Sequence, residues 1–276
     1  MSDVPGIELN NGATIPQLGF GVFQIDPSDT ADTVQQAFDA GYRHIDTAQM
    51  YGNEAEVGEA IAKSGLQRDD LWITTKCNNS NHGRLDAQTA LDESLQKLGL
   101  DFVDLYLIHW PLPGKDLYVD TWKGFEEAHA DGKTRTIGVS NFQPHHLDRL
   151  LEETDTVPAI NQIELHPHMQ QAALRSYHER HGIRTEAWSP IGQGKGLLDA
   201  PELDEIAQAH GKSPAQVVLR WHVQIGNIIF PKSVTPERIR ENMAIFDFEL
   251  SDEQMQKIEG MEKAERIGPD PDEFDR

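Results

Sequence analysis

Short apolar runs alternate with longer amphipathic segments along most of the chain. Eight of the runs have the length and the β-branched or aromatic content of buried strands, over residues 19–24, 42–46, 71–76, 104–110, 136–141, 159–165, 184–189 and 227–232. Between the runs, apolar residues recur every three or four positions, as Val34, Ala37 and Phe38 do, which is the period of a helix. Eight strand-then-helix units in succession predict an α/β fold, a closed (β/α)8 TIM barrel.

The predicted helices have recognisable starts. Pro144, Pro214 and Pro236 each follow a residue that can cap a helix, and proline is favoured at the first helical position. Further helices follow from the amphipathic pattern, and the expected ranges include 122–130, 144–152, 171–181, 214–224 and 236–246. Ahead of the first unit, two β-prone runs flank Asn10-Asn11-Gly12, and we expect this hairpin to close the bottom of the barrel.

One domain over residues 1–276 accommodates the whole pattern, with residues 268–276 as a loose acidic tail over the barrel mouth. The length suits a single α/β barrel, which averages about 250 residues. An open doubly wound sheet is the alternative fold, but it requires a glycine-rich phosphate turn after its first strand. The run GFGVFQ leads into no such turn, so the barrel is favoured.

The charge of the chain restricts its possible partners. The 276 residues include 24 Lys and Arg against 46 Asp and Glu, a net charge of −22. Such a surface repels nucleic acid and anionic membranes. No stretch approaches the ~20 apolar residues of a membrane span, and the first residues lack the features of a signal peptide. Because Cys77 is the only cysteine, no intrachain disulfide can form, and we expect a cytoplasmic protein.

Polar residues stand where the predicted strands end. They are Asp46, Lys76, His109, Asn141, Gln162, Ser189 and Lys232. The carboxyl ends of the strands meet at one face of a parallel barrel, and such folds place their chemistry there. The pattern therefore predicts a single active site gathered from the whole chain, and hence an enzyme.

Four ionisable residues near successive strand ends suit proton transfer to a carbonyl oxygen. We call Asp46, Tyr51, Lys76 and His109 the tetrad. A tyrosine is a poor acid near neutrality, with an ordinary pKa of about 10. An adjacent ammonium favours the phenolate and so lowers that pKa. Asp46 would pair with Lys76 and keep it charged, and His109 would donate a hydrogen bond to a substrate oxygen.

Other interpretations of these residues stay open. Asp46 and Lys76 can form a purely structural ion pair, and His109 can be a core histidine. A metal-dependent hydrolase barrel is one alternative, with His44, Asp46, His109, His166 and His168 as ligands, although Lys76 would place a cation beside the metal. A barrel that binds NADPH as a regulatory module without turnover is another.

Six segments resemble signatures of the aldo-keto reductase superfamily, in that family's order: GYRHIDTAQMYGNEAEVG, LWITTK, DLYLIHWP, IGVSNF, NQIELHP and IIFPKSVTPERIREN. Within the family, the chain most resembles the bacterial 2,5-diketo-D-gluconate reductases. The resemblance implies a (β/α)8 fold and NADPH-dependent reduction of aldehydes and ketones to alcohols. It also implies that Tyr51 is the general acid, that Lys76 and Asp46 tune it, and that His109 orients the carbonyl.

The last of these segments also contains a predicted cofactor site. Lys232, Ser233 and Arg238 surround the predicted start of a helix, whose free N–H groups attract phosphate. Cations suit the 2′-phosphate of NADP, whereas an acidic residue would suit the free ribose hydroxyl of NAD. The family resemblance extends the expected cofactor-binding set to Ser140, Asn141, Gln162, Trp188, Ser189, Val234, Glu241 and Asn242.

Short loops after the strands predict an open substrate pocket with Val22, Phe23, Asn78 and Trp110 as its walls. Asn78 stands where the family usually has a tryptophan, and Gln49 where a small apolar residue is common. We therefore predict small polar carbonyl substrates, such as methylglyoxal, other dicarbonyls, or keto-sugar acids like 2,5-diketo-D-gluconate. We expect a monomer that needs no metal, nucleic acid or membrane.

Overall fold

The computed structural model describes residues 4–275, and within them one parallel sheet dominates the architecture. The strands are β1 Gly6–Glu8, β2 Thr14–Pro16, β3 Phe20–Gly21, β4 His44–Asp46, β5 Trp72–Cys77, β6 Val103–Ile108, β7 Thr134–Ser140, β8 Ile160–Glu164, β9 Arg184–Trp188 and β10 Ile228–Ile229. Strands β3 to β10 lie side by side in chain order. The sheet closes on itself where the N–H of Gly19 donates to the carbonyl of Ile229 (2.7 Å). The predicted (β/α)8 barrel is confirmed.

The two strands at the closing seam are shorter than their apolar runs. β3 has two residues and β10 has two, against predicted ranges of 19–24 and 227–232. Gln24 has a left-handed backbone (φ 59°), which an extended strand does not tolerate. At the other side of the seam β10 stops ahead of Pro231, which has no N–H to donate to a ladder.

Ten α-helices surround the barrel within residues 4–275. They are α1 Pro27–Ala40, α2 Glu54–Lys63, α3 Arg84–Leu98, α4 Tyr118–Ala130, α5 Pro144–Glu153, α6 Ala172–Arg180, α7 Pro201–His210, α8 Pro214–Gln224, α9 Pro236–Met243 and α10 Asp252–Glu259. The hydroxyl of Ser213 caps α8 by accepting the N–H of Gln216, as predicted for the residue before Pro214. Between β9 and β10 the structure has two helices, α7 and α8, where the sequence predicts one. Gly211, in a left-handed conformation (φ 63°), ends α7.

The hairpin of β1 and β2 plugs the bottom of the barrel. Ile7 and Ile15 are register partners across the hairpin. Ile15 is fully buried in an apolar cluster with Leu105, Leu107 and Ile228 of the barrel strands. The predicted position of the hairpin is therefore confirmed.

The C-terminal tail lies across the barrel mouth and is held at several points. The N–H of Gly268 donates to Glu164 (2.9 Å), and the carboxylate of Asp275 accepts the N–H of Gly114 (2.8 Å). The ring of Phe274 packs on Trp110, with 4.6 Å between ring centroids. The prediction of a loose tail over 268–276 is therefore wrong for 268–275, because aromatic and carboxylate side chains anchor it. Arg276 and residues 1–3 lie outside the described residues.

No helix of the part of the chain that the structure describes is long and apolar enough to cross a membrane.

Candidate active site

The tetrad residues come together at the carboxyl ends of β4, β5 and β6. Nζ of the fully buried Lys76 donates to Oδ1 of Asp46 (2.7 Å), to the carbonyl of Thr47 (2.9 Å) and to the hydroxyl of Tyr51 (3.2 Å). Three acceptors satisfy the three N–H groups of an ammonium. Burial is the largest influence and favours the neutral amine, but Asp46 and Tyr51 together outweigh it and raise the pKa of Lys76. Lys76 is therefore a charged residue.

The 3-10 helix Gln49–Tyr51, which follows β4, brings the Tyr51 phenol back over the strand ends. Burial raises the pKa of Tyr51 above its ordinary value, Lys76 acts in the opposite direction, and Asp46 adds to the rise. The sequence predicts that Lys76 lowers the pKa of Tyr51, and its interaction does act in that direction. The net pKa of Tyr51 is nevertheless raised, because burial has the larger effect. The phenol stays protonated near neutral pH, which is the form that can donate a proton.

His109 completes the group at the end of β6. Its ring centroid lies 5.8 Å from that of Tyr51, with the two rings nearly perpendicular. Burial, and after it the charge of Lys76, lowers the pKa of His109 well below its usual range. The imidazole is therefore neutral and carries one N–H. Its Nδ1 has no hydrogen-bond partner within residues 4–275, so this nitrogen makes no bond to the described part of the protein.

Gln162 links the tetrad to the next strands of the barrel. Its Nε2 donates to Oδ2 of Asp46 and to Oε2 of Glu186, at 2.9 Å each. Both N–H groups are thereby used, and only Oε1 of this amide is left to accept a bond from a ligand. Glu186 is not among the residues predicted from the sequence. The signal for it is an acidic residue in the apolar run RTEAWS, which also contains Trp188.

Asn141 connects three further predicted residues at the mouth. Its Nδ2 donates to the carbonyl of His109 and to the hydroxyl of Ser140 (3.0 Å each), and its Oδ1 accepts the indole N–H of Trp188 (2.8 Å). Asn141 and Ser189 both have left-handed backbones, with φ of 65° and 50°. Residues with side chains adopt this conformation rarely, and it clusters at functional sites.

The start of α9 is the second predicted cofactor region. Lys232 and Arg238 are exposed, and neither forms a salt bridge within residues 4–275. The hydroxyl of Ser233 accepts the N–H of Thr235 (3.1 Å). The side chain of Thr235, the N-cap residue, accepts no N–H from the first turn of α9. A helix start with two unpaired cations is suited to an anion. Of the other residues predicted here, Val234 is exposed, Glu241 half-buried and Asn242 buried.

The predicted pocket walls do not all reach the mouth. Phe23 is 47% exposed, and its ring centroid lies 4.9 Å from that of Tyr51. Trp110 is nearly buried beneath Phe274 of the tail. Val22 has no exposed surface, and its N–H donates to the carbonyl of Asp46 (3.1 Å). Val22 is therefore a core residue, and its prediction as a pocket wall is wrong.

Gln49 fastens a loop and does not line the pocket with a polar surface. Its Oε1 accepts the main-chain N–H of Asn78 (3.2 Å) and the side-chain amide of Asn81 (2.9 Å). The half-buried Asn78 is thus tied to the 3-10 helix that carries Tyr51. Gln49 supports the position of the phenol through this loop.

One group of side chains within residues 4–275 has the spacing of a metal site, formed by His145, His146 and Asp272. Nδ1 of His146 accepts the N–H of Gln143 (3.1 Å), so the neutral ring carries its proton on Nε2. That nitrogen faces Asp272 (3.8 Å) and, being protonated, is not a metal ligand. The residues of the hydrolase alternative do not form such a group in the described chain.

Two cavities lie outside the tetrad. A groove of about 780 Å³ lies at the amino-terminal end of the barrel, between the hairpin and the starts of β9 and β10. A smaller cavity of about 280 Å³ lies between Lys195, His166 and Arg266, close to the mouth. No tetrad residue lines either cavity, so the size of a cavity does not locate the candidate catalytic residues in this protein.

Comparison with known proteins gives the family. Residues 17–263 match the model of the Aldo/keto reductase family. The chain belongs to the aldo/keto reductase family. This membership confirms the resemblance and the predicted class, an oxidoreductase that uses NADPH.

Three relatives of the family illustrate the likeness. An aldo-keto reductase of Mycolicibacterium smegmatis is 54% identical, with 98% of each chain covered. The methylglyoxal reductase DkgA of Escherichia coli is 47% identical, with 99% of each chain covered. A crystal structure of a Gox0644 mutant in complex with NADPH superposes with a TM-score of 0.95 at 43% identity, with 99% of each chain covered.

Proposed function

We propose that this protein reduces small polar aldehydes and ketones to alcohols, with NADPH as the hydride donor and Tyr51 as the proton donor. The observation that carries the proposal is the buried chain from Asp46 to Lys76 to the Tyr51 hydroxyl, with contacts of 2.7 and 3.2 Å. A protonated phenol held against an ammonium is suited to give a proton to an oxygen that becomes negative.

Each tetrad residue has a part in that proton transfer. Lys76 stabilises the phenolate that Tyr51 becomes, and Asp46 keeps Lys76 charged despite burial. Neutral His109 donates its N–H to the carbonyl oxygen and so orients it toward the phenol. A positioned general acid contributes about 10²–10⁴ in rate.

The residues at the mouth and at α9 fit the cofactor. Lys232 and Arg238, free of salt bridges within the described chain, suit the 2′-phosphate, and Ser233 lies beside them. Asn141, Ser140 and the free Oε1 of Gln162 suit an amide group, and the Trp188 indole offers a face for stacking. Ser189, Val234, Glu241 and Asn242 complete the proposed set. Bound NADPH supplies a hydride for the carbonyl carbon.

The surroundings of Tyr51 support small carbonyl substrates. Phe23 and Trp110 offer apolar surface, Asn78 adds polarity, and the tail covers Trp110 from above. The relative from Escherichia coli named methylglyoxal reductase supports the same substrate class. We therefore propose dicarbonyls and keto-sugar acids as substrates of this chain.

Replacement of Tyr51 tests the proposal directly. With methylglyoxal or 2,5-diketo-D-gluconate, we expect Tyr51→Phe to reduce kcat by about 10²–10⁴, measured by NADPH absorbance, while the NADPH dissociation constant changes less than about twofold. Tyr177→Phe is the matched control, because that hydroxyl bonds Asp148 away from the tetrad. A Tyr51→Phe enzyme with wild-type turnover contradicts the role of Tyr51. Tight NADPH binding by the wild type without turnover of any carbonyl would favour the regulatory alternative.

A further inference from the structure

A second buried carboxyl group lies beside the tetrad. Glu186 of β9 is fully buried and is the register partner of Gln162 in β8. Because register partners in a barrel share a face, their side chains meet in the interior. The amide of Gln162 bridges Glu186 and Asp46, with one N–H on each at 2.9 Å. The position of Asp46 is thereby coupled to that of Glu186.

Within residues 4–275, no cation in the barrel interior is free to balance a charge on Glu186. From β5, Lys76 is committed to Asp46 and Tyr51. From β4, His44 lies 3.7 Å from Oε1 of Glu186, but burial lowers the pKa of His44 to about 3 and leaves the ring neutral. The β10 residue that pairs with Glu186 is the apolar Ile228. An ionised Glu186 would therefore be a buried charge without compensation.

These surroundings keep Glu186 in its acid form. Burial, and after it the negative charge of Asp46, raises the pKa of Glu186 to about 8, with Gln162 and Lys76 acting against the rise. Oε2 of Glu186 accepts an N–H of Gln162, so the acid proton belongs on the other oxygen, Oε1. Oε1 has no hydrogen-bond partner within residues 4–275. Near neutral pH the group formed by Asp46, Glu186 and Lys76 then holds one carboxylate, Asp46, and one ammonium, Lys76.

We propose that the protonated Glu186 is a positioning residue for carbonyl reduction, which holds Asp46 against Lys76 through Gln162 and, by being neutral, leaves Lys76 balanced by one carboxylate. The inference rests on the proposed function, since its effect is on the acidity of Tyr51. Ionisation of Glu186 adds a second negative charge to the group of Asp46 and Lys76, and such a charge makes the Tyr51 phenol a weaker acid.

The consequence is a decline in reduction rate that is not caused by Tyr51 itself. Because Glu186 loses its proton as pH rises through about 8, kcat/KM falls in that range. Tyr51 ionises as well, so the contribution of Glu186 is the part of the decline that a variant without an ionisable group at position 186 loses.

The test is a pH profile of kcat/KM for methylglyoxal at saturating NADPH, from about pH 6 to about pH 10. Glu186→Gln keeps an oxygen for Gln162 and cannot ionise. We expect the wild type to decline through about pH 8 and the variant to decline clearly less there, with its neutral-pH value within roughly threefold of wild type. The control is Glu54→Gln, a buried carboxyl of α2 that bonds Thr75, which should decline like wild type.

Infrared spectroscopy of the wild type gives a second measurement that needs neither turnover nor a folded variant. A carboxylic acid C=O stretch at neutral pH, lost as pH rises through about 8, supports the proposal. Absence of that band, or an identical decline in wild type and Glu186→Gln, overturns it. Failure of the proposed function is recognised separately, as NADPH binding without reduction of any carbonyl by the wild type.

Discussion

In the lower half of the barrel interior, Ile15 packs against Leu105 and Ile160, and all three are fully buried. In the upper half, Asp46 and Lys76 are just as buried, at 1% and 0% exposure. Buried apolar area stabilises a fold by about 25 cal/mol per Å². Buried ion pairs often contribute nothing net, because desolvation opposes their attraction. We infer that the lower half supplies the stability on which the charged upper half depends.

The same contrast separates two carboxyl groups of the upper half. Burial raises the pKa of both Asp46 and Glu186, and Lys76 opposes the rise in each. Only Asp46 has the ammonium at 2.7 Å, and only there does the ion pair hold the negative charge. Two equally buried carboxyl groups therefore differ in charge: Asp46 is ionised and Glu186 is neutral. The position of one cation, Lys76, decides which of them is ionised.

Removal of that cation should have the largest effect. We expect Lys76→Met to lower kcat/KM by about 10²–10⁴ and the free energy of unfolding by about 3–5 kcal/mol, since Asp46 loses its partner. Steady-state kinetics and urea unfolding measure the two effects. Lys133→Met, which breaks the exposed pair with Asp92, is the control and should cost at most about 1 kcal/mol. A Lys76→Met enzyme within tenfold of wild-type kcat/KM would contradict the assignment.

A change in the lower half should affect stability alone. We expect Ile15→Ala to lower the free energy of unfolding by about 2–5 kcal/mol, because it leaves a cavity in a fully buried apolar cluster. Its kcat/KM should stay within about twofold of wild type, since Ile15 belongs to the hairpin at the bottom of the barrel and the tetrad lies at the carboxyl ends of the strands. Urea unfolding and turnover on the same preparation check both statements. A loss of turnover without a loss of stability would show that the halves are coupled.

Exposed charges at the mouth should give the smallest effect. We expect Arg238→Ala to reduce the preference for NADPH over NADH by about tenfold, or about 1.4 kcal/mol, with little change in NADH turnover. The comparison of kcat/KM with the two cofactors measures this. Arg240→Ala is the control, because Arg240 already pairs with Glu237 (3.5 Å). Equal losses with both cofactors would indicate a general structural effect of Arg238.

The sequence alone predicts the barrel, its hairpin plug and the meeting of the tetrad. These features follow from local properties: the periods of apolar residues define strands and helices, and a parallel barrel gathers its strand ends at one face. The prediction therefore needs only the order of the elements. The monomeric state and the cytoplasmic location stay predictions.

Only the tertiary structure decided the charge states and the depths of individual side chains. The net pKa of Tyr51 depends on burial against the Lys76 interaction, and no sequence spacing gives that balance. Glu186 became visible because Gln162 joins it to Asp46, which is 116 residues from Gln162 in the chain. The burial of Val22 likewise depends on residues that only the fold packs around it. Desolvation and Coulomb interactions depend on distances between residues remote in sequence, and folding alone sets those distances.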